Sequence, residues 1–113
     1  MTVLEIAALP EFEAAVLQEG EKEITALYCA DLLSWAMGRA PAGCAWCTIM
    51  GNANAVAVAM LAEVAVIVLC ENAALDEAAA AKAAGQGVNI VKTGLPAFEA
   101  ALLLARKAGL YGL

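Results

Sequence analysis

Residues 44–70, CAWCTIMGNANAVAVAMLAEVAVIVLC, decide the fold. The segment 44–49 mixes Trp46, Thr48 and Ile49, side chains that suit a pleated surface, and reads as a buried strand. Gly51-Asn52-Ala53-Asn54 interrupts it with residues that favour turns and helix N-caps. Residues 55–62 follow as a small-residue helix, and 64–69 as a β-branched run of strand length. Strand, helix and strand at this spacing make a parallel βαβ crossover, which is right-handed in nearly every known case.

Outward from that unit, Thr2-Val3-Leu4-Glu5 has the capping-box pattern and starts a short helix ended by Pro10. Residues 13–18 read as a first strand, 19–22 as a turn, and 24–29 as a second strand in a hairpin with the first. Asp31 stands where an N-cap would open an apolar helix over 32–37, closed by Gly38. Asp76 and Glu77 place negative charge in the first turn of an alanine helix to residue 84, ended by Gly85-Gln86-Gly87. A short strand over 88–92 leads through Pro96 into a last helix over 97–108, and residues 110–113 form an apolar tail. The expected architecture is one α/β domain over 1–113, with a hairpin-like N-terminal part and a βαβαβα parallel-sheet part.

Composition narrows the function. The chain has 113 residues, 64% of them hydrophobic, enough for one core. Its net charge is −6, and its six Lys and Arg residues are scattered, so no stripe tracks a nucleic-acid backbone. The opening residues lack the basic start and apolar run of a signal peptide. Residues 53–70 are apolar but alanine-rich, and Glu63 falls where helix gives way to strand, so no membrane span is expected. The expected location is the cytoplasm.

The four cysteines are Cys29, Cys44, Cys47 and Cys70. Cys44-x-x-Cys47 invites a zinc or redox reading, but the chain has no histidine to complete a metal site. The pair also lies inside a strand, where residues three apart point to opposite faces. Buried structural thiols are expected, with no metal and no cofactor.

Catalytic patterns are missing as well. Ser34 is the single serine, histidine is absent, and no phosphate loop or GxGxxG occurs, so no enzyme activity is expected. Candidate ligand contacts are Asp31, Thr48, Asn52, Asn54, Asn72 and Thr93, which stand at the carboxyl ends of strands or at helix starts. Each has a plainer reading beside this one: Asp31 as a helix cap, Asn52 and Asn54 as turn and cap residues.

The order of residues resembles the DRTGG domain family over nearly the whole chain. The resemblance rests on ITALYCADLLS (24–34), AGCAWCTI (42–49), NAVAVA (54–59) and GVNIVKT (87–93) leading to AFE (97–99). The family's Thr-Gly-Gly step reads Thr25-Ala26-Leu27, so only Thr25 keeps its place. The resemblance implies a fold similar to the N-terminal domain of HPr kinase/phosphorylase. It also implies a regulatory, non-catalytic role of the kind such domains have in regulated pyrophosphatases and some phosphotransacetylases, where they tend to mediate dimer contacts.

Three functions stay open. The first is a ligand-sensing regulatory domain acting as a homodimer, with a small anionic or nucleotide ligand. The second is a docking or accessory subunit held to a protein partner. The third is a small thiol redox protein using Cys44 and Cys47. Apolar stretches at 32–37, 53–61 and 97–104 compete for burial, and Trp35 is the expected centre of a dimer contact.

Overall fold

A computed structural model describes residues 1–113. Its elements in chain order are α1 (Val3–Ala7), β1 (Phe12–Val16), β2 (Ala26–Cys29), α2 (Leu33–Arg39), β3 (Cys44–Thr48), α3 (Ala53–Ala62), β4 (Val66–Leu69), α4 (Glu77–Gln86), β5 (Ile90–Thr93) and α5 (Ala97–Ala108). The strands form one five-stranded sheet in the order β1-β5-β4-β3-β2. β2 to β5 run parallel, and β1 lies antiparallel to β5. The βαβαβα part is as the sequence predicts.

Alternation along the two central strands builds both faces. Cys44, Trp46, Ile67 and Leu69 point to one side, under α2, α3 and α4. Ala45, Cys47, Val66 and Val68 point to the other, under α1 and α5. All nine residues of β3 and β4 are buried. The first face is closed by alanines: Ala36, Ala55, Ala59, Ala79 and Ala83 are buried in its core. Small side chains let three helices lie close over a short sheet. Trp46 supplies the bulk there, and its indole N–H donates to the Ala30 carbonyl at 2.9 Å, so its polar end is satisfied.

The capping box is present: Thr2 Oγ1 accepts from Glu5 N at 3.2 Å, and Glu5 Oε1 accepts from Thr2 N at 2.8 Å. Asn52 caps α3, its Oδ1 accepting from Ala55 N at 2.9 Å. Gly87, at φ 72°, ends α4, so Gly85 and Gln86 belong inside the helix and not after it.

Gly38 likewise lies inside α2, which runs on to Arg39 and is capped at Ala40, and two larger expectations fail. The hairpin between the first two strands does not form, because β1 and β2 lie at opposite edges of the sheet. The physical reason is Asn89. Its Oδ1 accepts from Gln18 N and Glu19 N, and its Nδ2 donates to the carbonyls of Glu19 and Ala65, all within 2.9–3.0 Å. The chain leaving β1 is thereby clamped to β5. Asp31 does not cap α2 either: Leu32 holds that position with no side-chain hydrogen bond, and the Asp31 carboxylate turns to β3.

The free edge of β2 is partly covered by the tail. Leu27 N–H donates to the Tyr111 hydroxyl oxygen at 2.9 Å, and that hydroxyl donates to Leu27 O at 3.4 Å. No helix is long and apolar enough to cross a membrane.

Candidate functional site

The four parallel strands deliver their carboxyl ends to one edge of the sheet, and β1 begins there. The predicted contact residues fall along that edge in two groups. At the end of β3, Thr48 is buried and its hydroxyl donates to Asp31 Oδ1 at 2.9 Å. The same carboxylate oxygen accepts from Ile49 N at 3.0 Å. Asp31 is thus a bracket that holds the β2 exit against the β3 exit. Asn52 sits beyond Thr48 with its side-chain oxygen committed to the α3 cap, and Asn54 is exposed on the first turn of that helix.

At the end of β5, Thr93 is buried and its hydroxyl oxygen accepts from Leu95 N at 3.1 Å. Asn72 lies beside it: its backbone N–H donates to Thr93 O at 3.1 Å, and its side chain packs on Gly94. A methyl group at Gly94 would come within 3.2 Å of Asn72 Nδ2. Glu71 and Asn72 both occupy the left-handed region, at φ 58° and 55°. Two consecutive non-glycine residues there hold backbone strain, and such strain concentrates at functional positions. β4 stands between the two groups, so Thr48 and Thr93 are separated by two strand spacings, roughly 10 Å.

The second group borders a cleft of about 260 Å³ lined by Pro10, Glu11, Phe12, Glu13, Asn72, Lys92, Thr93 and Gly94. Lys92 is the residue that sequence reasoning missed. Its signal was present: a single lysine in an otherwise apolar strand, paired across to Glu13 of β1. The largest cleft, about 520 Å³, opens at the opposite end of the sheet. Glu19, Glu23 and Glu63 line it, with Lys22 bound to Glu19 at 3.1 Å. The C-terminal ends of α3 and α4 also face it, so its field disfavours phosphates.

The cysteines are all free. Cys44 and Cys47 point to opposite faces, so they neither bridge nor share an ion. The CxxC redox reading fails for that geometric reason. Burial pushes the Cys44 thiol up to about 11. Cys29, by contrast, ends β2 at the surface, where the neighbouring Cys47 S–H lowers its thiol to about 7. No three His, Cys, Asp or Glu side chains converge closely enough to hold a metal ion.

With this geometry in place, solved structures supply a match. The chain superposes on the crystal structure of the CBS and DRTGG domains of the regulatory region of Clostridium perfringens pyrophosphatase, complexed with the activator diadenosine tetraphosphate. The TM-score is 0.65 at 14% sequence identity. The fold is DRTGG-like. The match covers 82% of this chain and 41% of that one, so this chain spans well under half the length of its structural neighbour. No family model matches the sequence, and no curated protein does. The DRTGG-like fold therefore rests on the arrangement of elements, as the sequence resemblance implies.

Proposed function

We propose that residues 1–113 form one DRTGG-like domain that senses a small anionic ligand of the nucleotide class and regulates without catalysis. The observation that carries the reading is the fold, which it shares with a regulatory region that binds a nucleotide activator. On this chain the cleft beside Lys92, Asn72 and Thr93 is the favoured place. It offers one ammonium, one amide and a strained backbone turn, with the Glu11 and Glu13 carboxylates on its rim, at the carboxyl end of parallel strands, the edge where open α/β sheets bind ligands. Asp31 and Thr48 act as the bracket that sets the neighbouring strand ends. Asn52 and Asn54 belong to the start of α3 and lie away from the ligand.

The regulatory unit in this reading is a homodimer. Leu32, Trp35 and Met37 are exposed by 60%, 54% and 43%, an apolar set on α2 and its N-cap, with Arg39 stacked 3.9 Å over the Trp35 ring. A patch of this kind is covered in a regulated assembly.

A thermal-shift series with inorganic phosphate, AMP, ATP and diadenosine tetraphosphate tests the ligand. At least one should raise the Tm of the full chain, and K92A and N72A should remove the rise. A flat response to all four, or a rise unchanged in both variants, overturns the site. Sedimentation tests the assembly: a dimer at micromolar concentration that W35E converts to monomer supports it, and a wild-type monomer refutes it.

A further inference from the structure

Two thiols stand in register, with a third on the same face, where the function above needs none. Cys29, the last residue of β2, is in register with Cys47 on the adjacent parallel strand β3. Cys70 follows β4, its N–H donating to Thr48 O at 2.9 Å, and stands two positions beyond Val68, the residue in register with Cys47. Cys47 and Cys70 both lie in the core beneath α5. Cys29 Sγ points to the same side, 3.9 Å from the carbonyl of Ala97 at the start of α5. Cys44 is alone on the opposite face.

Register makes this pair different from an ordinary couple of buried cysteines. Neighbouring strands lie about 4.8 Å apart. That spacing falls inside the range of about 4.4–6.8 Å spanned by the Cα atoms of disulfides. The two Cα atoms therefore already stand at a separation that a disulfide can span. The environments of the two thiols also differ. Cys29 is exposed, while Cys47 is fully buried. The Cys47 S–H favours a thiolate at Cys29, and the same hydrogen bonding, to Cys29 and then to Cys70, together with burial pushes Cys47 up, so Cys47 keeps its proton. Partial burial of the sulfur, and then the charge of Asp31, work against the Cys29 thiolate and are outweighed. One Cys47 proton serves one sulfur at a time. The Cys47 S–H also lowers the Cys70 thiol, but Cys70 is fully buried while Cys29 is exposed, so Cys29 is the sulfur that a solute reaches.

We propose that Cys29 and Cys47 are a redox-active dithiol, with Cys29 the site attacked by a hydroperoxide and Cys47 the resolving thiol. In the first step the Cys29 thiolate attacks the terminal oxygen of the hydroperoxide. The O–O bond breaks, the leaving alkoxide or hydroxide takes a proton from water, and Cys29 becomes a sulfenic acid. In the second step Cys47 releases its proton and its sulfur attacks the Cys29 sulfur. The S–O bond breaks, and the departing hydroxide leaves as water with that proton. Two thiols supply the two electrons that reduce one hydroperoxide to an alcohol or water. The product ties the outer strand of the sheet to its neighbour, beside the Asp31–Thr48 bracket. A reducing dithiol restores the starting state.

The test treats the full chain with hydrogen peroxide at neutral pH and follows its intact mass. The expected product is a monomeric chain lighter by about 2 Da, reversed by dithiothreitol. Fragment mapping should place the link between Cys29 and Cys47. The C29S variant, altered at the surface, should keep its mass, and C44A and C70A should behave as wild type. C47A should instead hold a sulfenic acid at Cys29 that dimedone labels. If C47A does not fold, the wild-type map and C29S still decide. An unchanged wild-type mass, a link through Cys44 or Cys70, a link between two chains, or a Cys29 that oxidises onward without bridging would each overturn the proposal.

Discussion

The two ends of the sheet are built from similar residues and do opposite things with them. At the amino end, polar side chains are taken up by backbone. Asn89 makes four hydrogen bonds to two other segments of chain, and Thr25 Oγ1 donates to Ala42 O at 3.3 Å. Thr25 fits there because Gly43, at φ 79°, carries no Cβ to strike it. At the carboxyl end Asp31, Asn52 and Thr93 also bond backbone, but side chains there stand against one another as well: Thr48 on Asp31, Lys92 beside Asn72, Cys29 beside Cys47. One end locks the chain path, and the other keeps groups in reach of solutes. The contrast teaches that burial alone does not mark a site. Asn89 is the most completely bonded polar side chain in the molecule, and for that reason it has no capacity left for a ligand.

The comparison breaks most visibly at Asn89. N89A should cost about 3 kcal/mol in a urea titration, because several buried backbone groups lose their partner together. A loss below about 1 kcal/mol would mean that β1 reaches its place without the clamp. G51A tests the carboxyl end. A methyl group there would overlap the Ala74 carbonyl oxygen, a backbone atom that cannot turn aside. The expected loss is about 2 kcal/mol, smaller because the loop between β4 and α4 can shift. D31A removes two hydrogen bonds from an exposed residue and should cost about 1 kcal/mol. A cost equal to that of N89A would erase the distinction between the ends.

The smallest effect sharpens the picture through pH. The Thr2 backbone N–H, and then its hydroxyl, lower the Glu5 carboxyl below its ordinary value. Because the folded pKa is the lower one, the cap's contribution is present above the unfolded carboxylate pKa, about 4.3. It is lost as pH falls through the folded value. E5Q should flatten that part of the stability profile between about pH 5 and 3 and leave the profile near neutrality parallel to wild type.

Much of the architecture was legible because solid apolar runs of strand length separated by alanine helices have one common solution. The parallel crossovers, the Thr2–Glu5 cap, the Asn52 cap and the opposed faces of Cys44 and Cys47 follow from local pattern alone. The position of β1 did not, because neighbours in sequence are the natural first choice for a hairpin. Asn89 carried the missing information: an amide inside the apolar run Val88 to Ile90 has to satisfy its donors and acceptor somewhere. Asp31 shows the same limit from the other side. As a single letter before an apolar helix it reads as a cap, and only register reveals that Thr48 is closer to hand. The Cys29–Cys47 adjacency is likewise a property of two strands 18 positions apart, invisible to spacing within either one.

Phe12 of β1 is paired with Thr93 of β5, so the sheet has an order in time. During synthesis the segment bearing Phe12 emerges roughly 80 residues ahead of its partner, which at about 5–20 residues per second is a wait of about 4–16 s. β2, β3 and β4 face no such delay, since each finds its neighbour in the next strand to appear. Throughout that interval Phe12 and Val16 lack a strand partner, and only α1 and, late in the interval, α4 are there to pack on β1. The arrival of β5 then delivers the missing strand and the Asn89 clamp together. The first strand made is the last to be enclosed.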